Sequence, residues 1–383
     1  MRARPFVAFA LGWLLIAAAA RAGAVPPGTT VKVGVIADVT GPASAYGTSQ
    51  KNAFELAADD LKAGRIDAGG ASLLFDIADA AGDADQAAGL SQTFVGDGSV
   101  LLLGPTLSGE ARRADPIAVR ANLTVVGDSN AAPGITALGP CVFRAALGED
   151  RLVPETVERA VLRWRPRTAA LIYGGDNQFT KTDFALFKAA LERRHVAVVD
   201  VETYRTGDLD FRPQLRKVAA KKPDILVVGA LLAEAVRIVV QARQAGVASH
   251  VIGGNGFNSP RFIELAGNAG EGAVFGAAYF AGNAYAGNGG FVQRYVRRFG
   301  MEPDQFSAQA YAAAQIAAAA VKSGATTSAG ICTALKKLAL VSTVLGPVNF
   351  LPSRELHAAS AIVVVSKGSF VYFSGGVTDL PSP

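Results

Sequence analysis

The sequence predicts an α/β protein of two doubly wound parallel-sheet lobes, on three observations. Strand-like apolar runs alternate with helical patterns along most of the 383 residues, the signature of parallel α/β architecture. The length left after an N-terminal leader, about 360 residues, fits two domains rather than one. The opening run Val31-Lys-Val-Gly-Val-Ile-Ala37 stops at the turn Thr40-Gly-Pro42, and a helical pattern follows from Thr48 to Leu61. That is the first βα unit of such a sheet, whose ligands sit beyond the carboxyl ends of the strands. The intervening loop, with Ser44 and Tyr46 exposed in it, therefore belongs to a binding surface.

The elements follow in order. Arg2 and Arg4, an apolar run from Phe6 to Ala20, and Ala20-Arg-Ala22 or Ala22-Gly-Ala24 read as a cleaved signal peptide over residues 1–24. The apolar run is shorter than the ~20 residues of a membrane span, as is Ala313 to Val321. No cysteine stands at the cleavage site, so the mature protein is expected to be exported, soluble and free of lipid. A first set of strands covers Val31 to Ala37, Leu73 to Ala78, Val100 to Leu103 and Leu123 to Val126. Its helices lie near Thr48 to Leu61, Asp85 to Phe94 and Gly109 to Arg120. A second set covers Thr168 to Tyr173, Val196 to Thr203, Ile225 to Gly229, Val251 to Gly253 and Ala273 to Ala278. Its helices lie near Thr180 to Arg193, Phe211 to Ala220, Leu232 to Ala245 and Pro260 to Ala266. Lys222-Pro223-Asp224 ends one helix and launches a strand, because proline stops helical propagation.

The last part changes character. Helical patterns at Gly290 to Phe299, Gln305 to Lys322 and Ala329 to Leu338 precede a β-rich stretch from Val348 to Phe373. Helices without alternating strands cannot form a third open sheet, so they are expected to pack back on the first domain. The join near Leu147-Gly148 is short, which suits a hinge better than a tether.

Composition narrows the function. Half of the residues are apolar, enough for a full core in each domain. The formal charge is +5, but removing Arg2, Arg4 and Arg21 with the leader leaves 34 basic against 32 acidic residues. That balance lacks the concentrated basic face of a nucleic-acid binder. The basic clusters at Arg163 to Arg167, Arg193-Arg194 and Lys221-Lys222 suit helix ends and solvation. Two cysteines in an exported chain invite a disulfide. Spacing alone leaves open whether Cys141 and Cys332 pair or stay buried thiols.

His195, His250 and His357 are scattered and no C-x-x-C occurs, so no metal site is expected. No G-x-S-x-G, H-E-x-x-H, P-loop or G-x-G-x-x-G motif marks an enzyme or a cofactor. Gly253-Gly-Asn-Gly256 reads as a strand-to-helix turn, and Asp59-Asp60 as a solvated pair on a helix.

One set of segments carries more. Thr40-Gly-Pro-Ala-Ser-Ala-Tyr-Gly47, Asp79-Ala-Ala-Gly-Asp83, Leu103-Gly-Pro-Thr-Leu-Ser108 and Asp115-Pro-Ile-Ala118 come first. Phe143-Arg144, Asp210-Phe211, Gln241-Ala-Arg-Gln-Ala-Gly246, Ala310-Tyr-Ala-Ala313 and Gly346-Pro-Val348 follow. In this order and spacing the chain resembles the leucine/isoleucine/valine-binding proteins, the type I periplasmic binding proteins of ABC importers. The resemblance implies two lobes joined by a three-crossing hinge, closing on ligand as a clamp. One lobe would take residues 25–148 and 279–358, the other 149–278 and 359–383. It further implies a monomeric, periplasmic solute carrier with no cofactor, delivering a small molecule to a membrane permease. A ligand sensor using the same clamp, or an exported α/β enzyme, are the alternatives.

The resemblance also implies a pocket. Tyr46 matches an aromatic lid over the ligand side chain, against the reading of an exposed turn tyrosine. Ser108 matches the serine that binds the ligand carboxylate, where a helix N-terminus favours an anion; the same serine suits an N-cap. Thr106 and Leu107 share that turn, Ser129 matches a backbone contact, and Phe306 an apolar wall. Four positions depart from amino-acid binders. Ala131 replaces a threonine, Phe179 a tyrosine, Leu231 a second-lobe aromatic, and Asn255 the acid that pairs with the α-ammonium. An uncompensated ammonium in a closed cleft is costly, unless Asn130, Asp128 or Asp176 answers it. The expected ligand is therefore a small carboxylate without an α-ammonium, ahead of a neutral amide and a branched-chain amino acid.

Overall fold

Near-continuous apolar strands need cover on both faces, and the fold supplies it twice. The structure, a computed structural model, describes residues 25–26 and 28–374. The leader expected over residues 1–24 lies outside them, as do residues 375–383. The first sheet holds β1 (Thr30–Ala37), β2 (Ser72–Asp79), β3 (Leu101–Leu103), β4 (Thr124–Gly127) and β5 (Val142–Arg144). All are parallel, in the order β2-β1-β3-β4-β5. Helices α1 (Ser44–Lys62), α2 (Ala84–Gly96) and α3 (Ser108–Arg120) make crossovers between them. The first helix starts four residues earlier than its apolar pattern, so Ser44 and Tyr46 lie in its first turn and not in an exposed loop.

Past Gly148 the chain enters α4 (Glu149–Trp164), a helix absent from the expected set. Pro154 lies inside it, and a proline there disguises a helical pattern. Then come β6 (Thr168–Gly174), α5 (Gln178–Arg193), β7 (Ala197–Tyr204), α6 (Arg212–Lys221) and β8 (Ile225–Gly229). They are followed by α7 (Leu232–Gln244), β9 (His250–Gly253), α8 (Pro260–Ala266) and β10 (Val274–Ala277).

The late helices α9 (Asn288–Phe299), α10 (Gln305–Lys322) and α11 (Ser328–Lys336) return to the first sheet. Tyr295, Tyr311 and Ile316 share one buried core with Val33, Val35 and Phe54. A small antiparallel sheet, β11 (Val341–Thr343), β12 (Gly346–Phe350) and β13 (Leu356–His357), follows. The chain then crosses back, and β14 (Ala361–Ser366) joins the second sheet antiparallel to β10, with β15 (Ser369–Tyr372) antiparallel to β14 at the edge. That sheet runs β15-β14-β10-β9-β8-β6-β7.

Two side-chain questions are answered here. Cys141, next to β5, and Cys332 of α11 are joined as a disulfide, with Cα atoms 5.4 Å apart. Asp59-Asp60 is not a solvated pair, because α9 and α10 pack over Asp60 and bury it completely. Its carboxylate accepts from Arg65, from the Tyr311 hydroxyl, and from Arg294 Nε at 2.9 Å.

Candidate functional site

The carboxyl ends of the two sheets face each other across a cleft, and local backbone geometry sets its walls. Helix α1 crosses the end of β1 so closely that a Cβ on Gly47 would lie 2.1 Å from the Asp38 carbonyl oxygen. That approach aims the neighbouring Tyr46 into the cleft. All ten residues singled out above line one cavity: Tyr46, Thr106, Leu107, Ser108, Ser129, Ala131 and Phe306 on one side, Phe179, Leu231 and Asn255 on the other. Asn130 and Gly256 complete it. Gly256 was read in the sequence only as part of the turn Gly253–Gly256, although it directly follows Asn255.

The cavity measures about 20 Å³, room for a single water molecule. The cleft is closed, and Tyr46 spans it. Only 2% of this residue is exposed, and its ring packs on Phe306 with centroids 4.1 Å apart. Its hydroxyl accepts a hydrogen bond from the Leu232 N–H at 2.6 Å and donates one to the Gly256 carbonyl at 2.8 Å. Burial pushes this phenol well above its ordinary range, so it stays a neutral O–H able to do both. Tyr46 is thus a bridge to the second lobe, sharing a core cluster with Phe179, Leu231 and Phe306.

The first-lobe wall is tightly wired. Thr106 Oγ1 accepts from the Asp38 N–H at 3.0 Å and donates to Gln50 Oε1 at 2.6 Å. Ser129 Oγ donates to the Thr106 carbonyl at 2.8 Å, and Asn130 Nδ2 to the Pro105 carbonyl at 2.9 Å. Ser108 is not the N-cap of α3: Leu107 holds that position. The Ser108 hydroxyl instead accepts from the Ala132 N–H at 3.1 Å, and the Leu107 N–H donates to Glu110 Oε2 at 3.0 Å. The N–H groups that follow in the first turn have no partner within the helix.

Across the cavity, Asn255 N–H donates to Glu149 Oε1 at 2.9 Å, and its carbonyl accepts from Gln305 Nε2 at 3.3 Å. Its side-chain Nδ2 is buried without a hydrogen-bond partner. Among the described residues no charged side chain lines the cavity. Asp128 is buried elsewhere, accepting from Gln50 Nε2 at 2.9 Å. Asp176 is exposed and bound to Thr206. Neither takes the place of an acid at position 255, because neither lines the cavity.

Two buried acids behind Asn255 escaped sequence reading. Burial pushes Glu149 up to about 7. Asp183 lies under Gly254, where a Cβ would come 2.1 Å from its Oδ2, and both its oxygens lack partners. Burial, and then the Glu149 charge, raise it well above the usual carboxylate range. Their signal in the sequence was weak: Glu149 stands in the first turn of α4, where an acid is ordinarily solvated, and Asp183 is an isolated acid within α5.

This geometry can be set beside known proteins. The family described as periplasmic binding protein matches residues 30–369. The chain is 26% identical to the Leu/Ile/Val-binding protein BraC3 of Rhizobium johnstonii over 334 residues, 86% of this chain and 90% of that one. It superposes with TM-score 0.83 on the branched-chain amino acid transporter substrate-binding protein LivJ of Streptococcus pneumoniae in complex with isoleucine. There the identity is 23%, covering 89% of this chain and 98% of LivJ. A solute-binding protein of R. palustris in complex with benzoate gives TM-score 0.81 at 21% identity, covering 90% and 95%. These last two likenesses are of fold. The family match takes in the first sheet, the second as far as the start of β15, the returning helices and every residue of the cavity wall, and the chain belongs to the periplasmic binding protein family.

Proposed function

We propose that the protein captures a small organic carboxylate lacking an α-ammonium in the Tyr46–Asn255 cavity, closes on it about the hinge, and presents it to the permease of an ABC importer. In this reading residues 1–24 are a leader removed on export, the carrier is a monomer, and it catalyses nothing. The lobes are residues 25–148 with 279–358, and 149–278 with 359–383.

One observation carries the ligand class. Among the described residues the cavity wall holds no carboxylate, and Asn255, which lines it, carries an amide Nδ2 without a partner. An ammonium there would face neutral groups in a water-poor site, at a cost of several kcal/mol. The acids nearest to Asn255 lie behind its backbone, and their raised pKa values favour the neutral form. A carboxylate instead meets the free N–H groups at the start of α3 and the Asn255 amide. One neighbour of the same fold holds isoleucine and another benzoate, so the backbone accepts either class and the lining side chains choose.

Thermal unfolding with benzoate, 4-methylvalerate, leucine and valine tests this. A ligand at ~100 times its dissociation constant adds about 2.7 kcal/mol to the native state, a shift of a few degrees. A shift with a carboxylate but not with leucine is expected. A shift with leucine would mean another group holds the ammonium, and no shift with any carboxylate would remove the proposed ligand class.

A further inference from the structure

The first turn of α10 separates two cavities. Phe306 faces the cleft, while Asp304 borders a second space of about 540 Å³ at the hinge. Both lobes wall it: Ile263, Glu264 and Phe370 from one, Val292, Met301 and Glu302 from the other, with the segment 280–282 running between them. We infer that this hinge cavity is a second binding site, for a small organic ammonium ion carrying an apolar tail, and that its occupant holds the two lobes together.

Three features define that chemistry. Among the described residues the lining contains Glu264, Glu302 and Asp304 and no Lys, Arg or His, so an anion is repelled and a cation is drawn in. Ile263, Phe280, Val292, Met301 and Phe370 give an apolar wall, in which methionine adapts to irregular shapes. Asn258, 1% exposed, also lines the space. Its Nδ2 donates to the Tyr279 carbonyl at 2.6 Å and to Gln305 Oε1 at 3.1 Å, while its Oδ1 is buried without a donor. The Tyr279 carbonyl can only accept, which fixes the amide orientation. An ammonium in the cavity has its charge answered by the two glutamates, and the partnerless Asn258 amide oxygen buried beneath the wall adds negative potential on the same side.

The site is wired to the cleft. Gln305 accepts from Asn258 and from the Ala278 N–H at 3.3 Å, and donates to the Asn255 carbonyl at 3.3 Å. An occupant touching both lobes binds the closed arrangement better than an open one, so it shifts the equilibrium toward closure.

The test uses the mature protein and 2-phenylethylamine, with the neutral 2-phenylethanol and hexanol as controls, read by calorimetry and by X-ray scattering. One amine per chain is expected, bound at least tenfold more tightly than either control, with a smaller radius of gyration. Glu264→Gln/Glu302→Gln, both exposed positions whose change spares the core, should weaken amine binding tenfold or more. Ser108→Ala, in the cleft, should leave it within twofold. No carboxylate is present, so these results stand whether or not the proposed cleft ligand is right. Absence of saturable binding, equal binding to the double variant, or loss of binding in Ser108→Ala would overturn the site. Binding without contraction would overturn its coupling to closure.

Discussion

The Tyr46 hydroxyl ties a residue of α1 to the start of α7 and to Gly256, so a single oxygen serves both lobes. Tyr46→Phe keeps the ring on Phe306 and removes both bonds. At about 0.5–1.5 kcal/mol net for each, the variant should bind ligand roughly 5- to 100-fold more weakly and rest more open. Calorimetry and scattering check this; unchanged affinity and radius would show that the hydroxyl does not hold the cleft. Ser108→Ala should also weaken binding, whereas Lys221→Ala, at the exposed end of α6, should not. Asn255→Asp is the sharper change. It places a carboxylate where the proposed ligand carries one, so carboxylate binding should fall at least tenfold, and a competition assay with leucine should reveal any gain. Undiminished carboxylate binding would exclude Asn255 as an anion contact.

Among the elements, α1 and α11 carry the most informative strain and restraint. A methyl group at Gly47 would meet the Asp38 backbone at 2.1 Å, and a backbone atom cannot step aside as a side chain can. Gly47→Ala should therefore destabilise by about 1–3 kcal/mol or more, measured by denaturant unfolding, and should displace Tyr46 from the cleft. The Cys141–Cys332 bond closes a loop with a sequence separation of 191 residues. Chain-entropy reasoning gives about 5 kcal/mol for a loop of that length, with measured values for disulfides generally lower at 2–4 kcal/mol. The reduced protein, or Cys141→Ala/Cys332→Ala, should lose stability in that range, and an unchanged unfolding midpoint would rule it out.

For the whole molecule, buried acids set the response to pH. Burial raises Glu149 and Asp128 to about 7, Asp304 to about 6 and Glu110 to about 9. A carboxyl whose native pKa exceeds its unfolded value binds extra protons in the native state, so its stabilisation is complete below the unfolded pKa and is lost as pH rises through the native one. Surface acids such as Asp83 and Asp210, held low by hydrogen bonds, act oppositely and lose their contribution below about pH 4. The melting temperature should peak near pH 5 and fall toward pH 8. Glu149→Gln should flatten that fall, and a profile that is flat or rises from pH 5 to 8 would show these acids to be ionised and satisfied in the native state.

The alternation of short apolar runs with helical patterns was enough to read both sheets, because parallel strands buried on two faces cannot hide their composition. The ligand-facing positions beyond the first strand-end loop came from the resemblance to the binding-protein family, which aligns them with a known pocket. Tyr46, Ser108, Asn255 and their companions come to one cavity. What stayed illegible was direction and partnership. Helix α4 was masked by Pro154, Asp60 resembled a surface acid until α9 and α10 covered it, and Ser108 resembled a cap until Ala132 claimed its hydroxyl. The partners of Tyr46 lie 186 and 210 residues away. Periodicity reports which face of an element is apolar, but which distant element meets that face depends on how all of them pack. Only the tertiary structure could decide it.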